Sequence, residues 1–132
     1  MLTGSCLCGR VAYEVEADLA AIVHCHCETC RKAHGAAFSS IGAVPRAAFR
    51  WVRGAEQLGA YESSPGKIRR FCANCGSQMV AEREGQPNVM LRLGCLDTPL
   101  ETERQWHIWR SDGASWYDPD AHHPAYATGT PG

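Results

Sequence analysis

The chain has 132 residues, a length that suits one domain with a modest hydrophobic core. Its formal net charge is −1, so the composition argues against a general polynucleotide-binding protein. No apolar segment approaches the roughly 20 residues that span a bilayer, and the first residues lack the charged head and apolar segment of a secretory signal. We therefore expect a cytoplasmic protein that binds neither nucleic acid nor membrane.

Short strands separated by turns account for most of the predicted structure. The alternating segment 10–16 predicts a half-buried strand with Val11, Tyr13 and Val15 on one face. Segment 28–34 tolerates a short helix that Gly35 would end. Further strands are predicted at 36–44, 49–53, 58–62, 78–82 and 89–93, whereas 67–71 leads into the third cysteine cluster and the chain crosses after residue 99 to 105–109. The pattern indicates one mainly β domain over 1–132, with an irregular tail from about residue 113.

Eight cysteines are the unusual number in the composition, and seven of them fall in three short clusters. Without a secretory signal, this many thiols indicates metal binding rather than disulfides. The spacing agrees, because a disulfide between cysteines one residue apart would be strained. The clusters have the spacings Cys-x-Cys at 6–8, Cys-x-Cys-x-x-Cys at 25–30 and Cys-x-x-Cys at 72–75.

The clusters can be divided between metal sites in two ways. The first and third would supply one closed four-thiolate site: Cys6, Cys8, Cys72 and Cys75. The middle cluster would then supply three thiolates, leaving a fourth position for water or substrate unless a distant cysteine closes it: Cys25, Cys27 and Cys30. In the alternative, residues 27 and 30 would join 72 and 75 as a zinc ribbon. The gap between them far exceeds the roughly 15–20 residues of that pattern, so spacing favours the first division.

Several motifs resemble those of the glutathione-dependent formaldehyde-activating enzyme family, which also contains the centromere protein V domain. They are GSCLCG at 4–9, HCHCETCRK at 24–32 and FCANCGS at 71–77, with RLGCLD at 92–97 and WHIW at 106–109 resembling the C-terminal blocks. The resemblance implies a β-tent fold of small antiparallel sheets pinned by zinc, with little helix. It also implies two zinc ions, a structural one on the four paired cysteines and an active-site one on the triplet.

The activity that the resemblance implies is carbon–sulfur bond formation or cleavage, in which glutathione adds to formaldehyde and gives S-hydroxymethylglutathione. A zinc held by three thiolates suits this chemistry, since a thiol that coordinates it is deprotonated. A small thiol and an aldehyde are therefore the expected substrates, with glutathione as the possible cosubstrate. The identity of the aldehyde and the oligomeric state do not follow from the sequence. Two other classes stay open: a non-catalytic zinc-binding or interaction module, and a thiol or metal sensor.

Histidines are the candidate acid–base groups: His24 and His26 flank the first cysteine of the triplet, whereas His107, between two tryptophans, would line the pocket or belong to a core strand. His26 and His107 are the predicted catalytic residues, because imidazole titrates near neutral pH. If strand alternation persists there, His24 and His26 point away from the side of Cys25 and Cys27. Hydrogen bonding behind the ligands, or plain packing, is then the competing interpretation.

The remaining candidate site residues are two basic pairs and the eighth cysteine. Arg31 and Lys32 could bind glutathione carboxylates or form a solvated surface pair. The pair at 69–70 is likewise expected at a solvated surface or in contact with a small anion. Cys95 stands where the family more often has serine, and it is expected either as a buried apolar thiol or as a fourth ligand or redox partner of the second zinc.

Overall fold

Ten short strands form two sheets in the computed structural model, which describes residues 1–131. The strands are β1 Leu2–Ser5, β2 Ala12–Val15, β3 Ile22–Cys25, β4 Ser39–Pro45, β5 Phe49–Arg53, β6 Leu58–Ser64, β7 Lys67–Cys72, β8 Gln78–Arg83, β9 Asn88–Arg92 and β10 Gln105–Ile108. One α-helix, α1, spans Glu28–His34. Four 3-10 turns lie at Arg46–Ala48, Ala55–Gln57, Leu93–Cys95 and Arg110–Asp112.

The two sheets differ in size. The small sheet has the order β1-β2-β5, and the large sheet has the order β10-β3-β4-β9-β8-β7-β6. All neighbouring strands are antiparallel except β3 and β10, which run parallel and place Ile108 beside Cys25. The predicted mainly β fold with small antiparallel sheets and little helix is confirmed, and the parallel edge pair is the departure from it.

The core lies between the sheets and is small, as expected for a chain of this length. Its largest fully buried side chains include Tyr13 of β2, Met79 of β8 and Leu91 of β9. Two arginines are also buried, Arg69 of β7 and Arg92 of β9, each about 3% exposed. Buried charges are rare unless they are paired, so these two mark a site rather than the core.

Sequence-based prediction did not assign β1, β3, β7 or β10, and the first two show the physical reason. Segment 2–5 contains Gly4 and Ser5, and it pairs with β2 in a register that places Gly4 against Tyr13. A Cβ at Gly4 would lie only 2.2 Å from Cζ of the Tyr13 ring, so the glycine permits the close approach. Segment 22–25 leads into the second cysteine cluster, and its histidine and first cysteine belong to β3. Tertiary pairing therefore overrode weak local signals at both places.

The chain after the last 3-10 turn contains neither helix nor strand through residue 131, while Gly132 lies outside the described residues. Its first part is nevertheless packed, because Ala114 is buried and the ring of Tyr117 lies 5.8 Å from that of Phe38. Within residues 1–131 no helix has the length and apolar character required to cross a membrane.

Candidate metal centres and active site

A four-cysteine cluster joins the turn after β1 to the end of β7. The four sulfur atoms, those of Cys6, Cys8, Cys72 and Cys75, all lie within 4.8 Å of one another. Sγ of Cys8 lies 3.6 Å from that of Cys6 and 3.8 Å from that of Cys72, which is 64 positions away in sequence. Hydrogen bonds from the Ser77 hydroxyl and backbone lower the pKa of Cys75 to about 5. Four converging thiols of this kind could hold a thiophilic metal ion in a closed tetrahedral site.

The three-cysteine cluster is built by the β3–α1 junction. Cys25 ends β3, and Cys27 is the N-cap of α1, where its Sγ accepts a hydrogen bond from the backbone N–H of Cys30 at 3.3 Å. Gly35 ends the helix in the left-handed conformation with φ of 59°, which a residue without a Cβ adopts readily. The three sulfur atoms lie within 4.8 Å of one another, and no fourth Cys, His, Asp or Glu of residues 1–131 joins the group. The cluster could therefore hold a metal ion and leave one position open.

Positive charge surrounds the three-cysteine cluster. Nη2 of Arg69 lies 3.8 Å from Sγ of Cys30. Burial raises the pKa of Cys30, but the nearby Ser39 hydroxyl, the two neighbouring thiols and Arg69 outweigh it and lower the pKa to about 7. Burial raises the pKa of Cys25 to about 12. The environment thus favours the thiolate at Cys30 near neutral pH, and a bound cation would favour it at all three positions.

Cys27 opens onto a hollow of about 200 Å³, which we call the Cys27 hollow. Cys27 is half-exposed there, whereas the other two cysteines of the cluster are buried. Three cationic side chains line the hollow, those of Lys67, Arg69 and Arg83. The pKa of Lys67 is lowered, first by burial and then by the charges of Arg69 and Arg92. The remaining lining residues are Thr29, Ser63, Ser64, Trp109 and Asp112.

The predicted catalytic histidines lie together but apart from this hollow. Nε2 of His26 is 2.7 Å from Nδ1 of His107, and both rings contact Phe38. His24 lies on the same side, with its ring 4.8 Å from that of His107. Burial lowers the pKa of both His26 and His107. Neither histidine lines the Cys27 hollow, which agrees with the alternative that they support the ligand loop from behind.

The predicted carboxylate-binding residues are engaged in local contacts. Nζ of Lys32 lies 3.1 Å from Glu28 one helical turn earlier, and its side chain is 76% exposed. Nε of Arg31 donates to the backbone carbonyl of His26 at 3.3 Å. Of the 69–70 pair, Arg70 bonds Glu82, but Arg69 is buried, so the expectation of a solvated surface pair is wrong for Arg69.

Cys95 lies beside the four-cysteine cluster rather than the triplet. Its thiol donates to the backbone carbonyl of Gln78 at 3.3 Å, and burial together with the charge of Cys6 raises its pKa. It packs against the hydrophobic core and belongs to neither group of converging sulfur atoms. This placement favours the interpretation of Cys95 as a buried apolar thiol.

The buried arginines are the site residues that sequence reasoning missed. Strand alternation in segment 67–71 offered a weak signal, since it separates Arg69 from Arg70 and places the two on opposite faces. Arg92 begins the RLGCLD block, but nothing in the sequence indicates that its guanidinium is buried near the triplet. That placement depends on the order of strands β7, β8 and β9.

Comparisons with known proteins agree with the motifs. The sequence profile of a family described as “Glutathione-dependent formaldehyde-activating enzyme” matches residues 1–112. A Fusarium vanettenii protein named “Putative glutathione-dependent formaldehyde-activating enzyme” is 29% identical over 107 residues, covering 78% of this chain and 57% of the relative. A Schizosaccharomyces pombe protein named an uncharacterized lyase is 32% identical over 76 residues, covering 58% of this chain and 53% of the relative. The chain thus spans about half the length of the curated relatives it matches.

One solved structure is similar across most of the chain. The crystal structure of a Rhodobacter sphaeroides protein, a structural genomics target, has a TM-score of 0.63 and 25% sequence identity. The similarity covers 79% of this chain and 98% of that protein.

Proposed function

The chain belongs to the glutathione-dependent formaldehyde-activating enzyme family, and from this membership we propose that it is a zinc-dependent carbon–sulfur lyase. Its proposed reaction joins a small thiol such as glutathione to formaldehyde or a related aldehyde, giving an S-hydroxymethyl thiol adduct, or reverses that addition. The observation that carries the proposal is the three-cysteine cluster, whose converging sulfur atoms lie beside the Cys27 hollow.

The donor sets fit two zinc ions. Four thiolates would hold a structural zinc on Cys6, Cys8, Cys72 and Cys75, and three would hold a second zinc on Cys25, Cys27 and Cys30. A zinc with three thiolates would carry a net charge of about −1, which the buried cation Arg69 beside Cys30 would offset. When bound, the second zinc would supply an open position at which a substrate thiol releases its proton to solvent.

The chain's own residues orient the reactants and handle charge. Arg69, fixed by a 3.0 Å hydrogen bond from its Nε to Ser63 Oγ, stabilises the thiolate of Cys30. The hollow beside Cys27 admits the thiol and the aldehyde. As the thiolate sulfur attacks the carbonyl carbon, the carbonyl oxygen gains negative charge, and Nζ of Lys67 is suited to donate a proton to it. After the addition the neutral amine of Lys67 regains a proton from solvent, and in the reverse direction it takes the hydroxyl proton of the adduct as the carbon–sulfur bond breaks.

The remaining predicted residues have secondary roles in this proposal. The pair of His26 and His107 holds the β3–α1 junction in place, because the hydrogen bond between the two rings joins β10 to the ligand loop. Arg31 acts in the same way through the carbonyl of His26, and Lys32 is a surface residue paired with Glu28.

The test is the rate of adduct formation from glutathione and formaldehyde, followed by exchange NMR with the purified two-zinc protein. The wild-type protein is expected to accelerate adduct formation over the uncatalysed reaction. Cys27→Ser is expected to lose this acceleration and also to lose about one zinc per chain. Cys95→Ser is the matched control for metal content, since it removes a thiol outside both clusters and should keep both metals. Full activity in Cys27→Ser, or no acceleration by the wild-type protein with any aldehyde and thiol, would contradict the proposal.

A further inference from the structure

A second pocket, of about 410 Å³, lies between α1 and the large sheet, and we call it the Arg92 pocket. Four elements contribute its polar walls, because His34 belongs to α1, Ser39 to β4, Gln78 to β8 and Arg92 to β9. None of the described residues that line it is an aspartate or glutamate. A pocket of this volume accommodates a small organic molecule.

Arg92 is the unusual member of this pocket. It is about 3% exposed, and its Nε, Nη1 and Nη2 atoms have no hydrogen-bond partner among the described residues. Arg69, equally buried, differs because it donates to Ser63 and Cys30. Burial lowers the pKa of Arg92 to about 10, which leaves the guanidinium charged at neutral pH. A buried charge without hydrogen bonds is destabilising, so a guanidinium with every donor free indicates a site for an acceptor.

Two neighbouring groups extend the polar character of the pocket. Nε2 of His34 and Oε1 of Gln78 are buried, and neither has a partner among the described residues. An anion with two acceptor oxygens matches the fork of Arg92, and a carboxylate has this planar geometry. The carbonyl oxygen of Gln78 would accept from an N–H or O–H group beside that carboxylate.

The Arg92 pocket is close to the three-cysteine cluster. Ser39 lines the pocket, pairs with Cys25 across the β3–β4 ladder, and places its hydroxyl near the Cys30 thiol. Charges on the three thiols also act on Arg92, which places its guanidinium within the electrostatic range of the cluster.

Within residues 1–131 the Arg92 pocket and the Cys27 hollow share no lining residue, but a further pocket shares Ser63 and Arg69 with the hollow and Gln78 with the Arg92 pocket. A thiol bound at the cluster could therefore direct a carboxylate toward Arg92.

We propose that Arg92 binds a carboxylate of the thiol substrate, so that the enzyme selects carboxylate-bearing thiols over neutral thiols of the same shape. This inference rests on the proposed function, and it adds the chemical class of the thiol and the residue that recognises it. The competing role for Arg92 is that of a counter-charge for the thiolates, without contact to the substrate.

The substrate-side test compares 3-mercaptopropionate with its neutral isostere 3-mercaptopropionamide as the thiol reacting with formaldehyde. For the wild-type enzyme we expect kcat/KM to favour the acid by about 10- to 100-fold, the range for a hydrogen bond to a charged group. Arg92→Met should bring that ratio close to one, and Arg92→Lys should restore part of it. The matched control is Arg50→Met, because Arg50 is an exposed arginine of β5 that pairs with Glu14 and lines neither pocket.

A binding measurement separates failure of this inference from failure of the proposed function. The probe is 3-(methylthio)propionate, which has the carboxylate but no thiol, titrated into the two-zinc protein by calorimetry. Saturable binding that Arg92→Met weakens by about 10-fold or more supports the subsite even if no thiol is turned over. Equal kcat/KM for acid and amide, or no binding of the probe to the wild-type protein, would overturn it. Both of these outcomes are measured on the wild-type protein, so the carboxylate subsite can be refuted even if Arg92→Met does not fold.

Discussion

Arg69 and Cys30 are in contact: Nη2 of the arginine lies 3.8 Å from Sγ of the cysteine, and both residues are almost fully buried. The contact joins β7 to the helix that contains Cys30 and is capped by Cys27. Because burial limits solvent screening, this positive charge acts on the thiolate more strongly than a surface cation would.

Removal of that charge should weaken the metal site. Arg69→Met is expected to raise the pKa of Cys30 toward its ordinary value and to lower zinc affinity at the triplet by about 10- to 100-fold. Competition with a chromophoric chelator measures the affinity. Arg70→Met is the matched control, since the adjacent arginine pairs with Glu82 and is expected to leave the affinity unchanged. Equal affinity in Arg69→Met and the wild type would contradict the assigned contact.

The four-cysteine cluster should be a stability site. Its thiols join segments 64 positions apart, so a metal held there crosslinks the thin core. Cys8→Ser is expected to lose about one metal per chain and to lower the melting temperature by about 10 °C or more. Metal analysis and calorimetry check both effects. An unchanged melting temperature with one metal lost would show that the cluster does not stabilise the fold.

Lys67 should act on turnover rather than on metal binding. Lys67→Met is expected to reduce kcat by about 100-fold while both metals remain bound, because it removes the proposed proton donor of the Cys27 hollow. Steady-state kinetics and metal analysis on the same preparation provide the two readings. Wild-type kcat in this variant would exclude Lys67 from proton transfer.

Loss of a histidine from the pair should leave turnover nearly unchanged, in contrast to loss of Lys67. His107→Phe removes the ring that bonds His26 but should change kcat by no more than about threefold and leave the shape of the pH–rate profile intact. The reason is that neither ring lines the Cys27 hollow. Loss of one limb of the profile would instead identify His107 as a titrating participant, the role that the sequence suggested.

His34 makes folding stability depend on pH. Burial, with the charges of Arg92 and Arg69, lowers its pKa from 6.5 to about 4. Between these values the imidazole binds a proton in the unfolded chain but not in the folded protein. The contribution of neutral His34 to the free energy of unfolding is therefore complete above about pH 6.5 and is lost as the pH falls toward 4. His34→Gln should therefore lose less stability between pH 7.5 and pH 5.5 than the wild type does, as measured by denaturant unfolding with excess zinc. Equal losses would show that His34 is not buried in the neutral form.

The cysteine clusters could be predicted from the sequence because their members lie two or three residues apart, where spacing alone limits the geometry. The residues that surround the three-cysteine cluster in the fold could not be predicted. Arg69 and Arg92 are brought near Cys30 by the order of three strands, and His26 meets His107 across 81 positions through a parallel pair at the sheet edge. Single-strand periodicity contains no information about such pairing. It also missed β1 and β3, since glycine and clustered cysteines resemble turns when their partner strands are unknown.

The central claim is that one metal site is closed and the other is open to a thiol. Zinc-edge X-ray absorption of the two-zinc protein tests it most directly, because seven clustered cysteines shared by two ions give a mean of about 3.5 sulfur ligands per zinc. Saturating glutathione is expected to raise that mean to about 4, as its sulfur fills the open position. A mean of 4 before addition, or no change after it, would contradict the account.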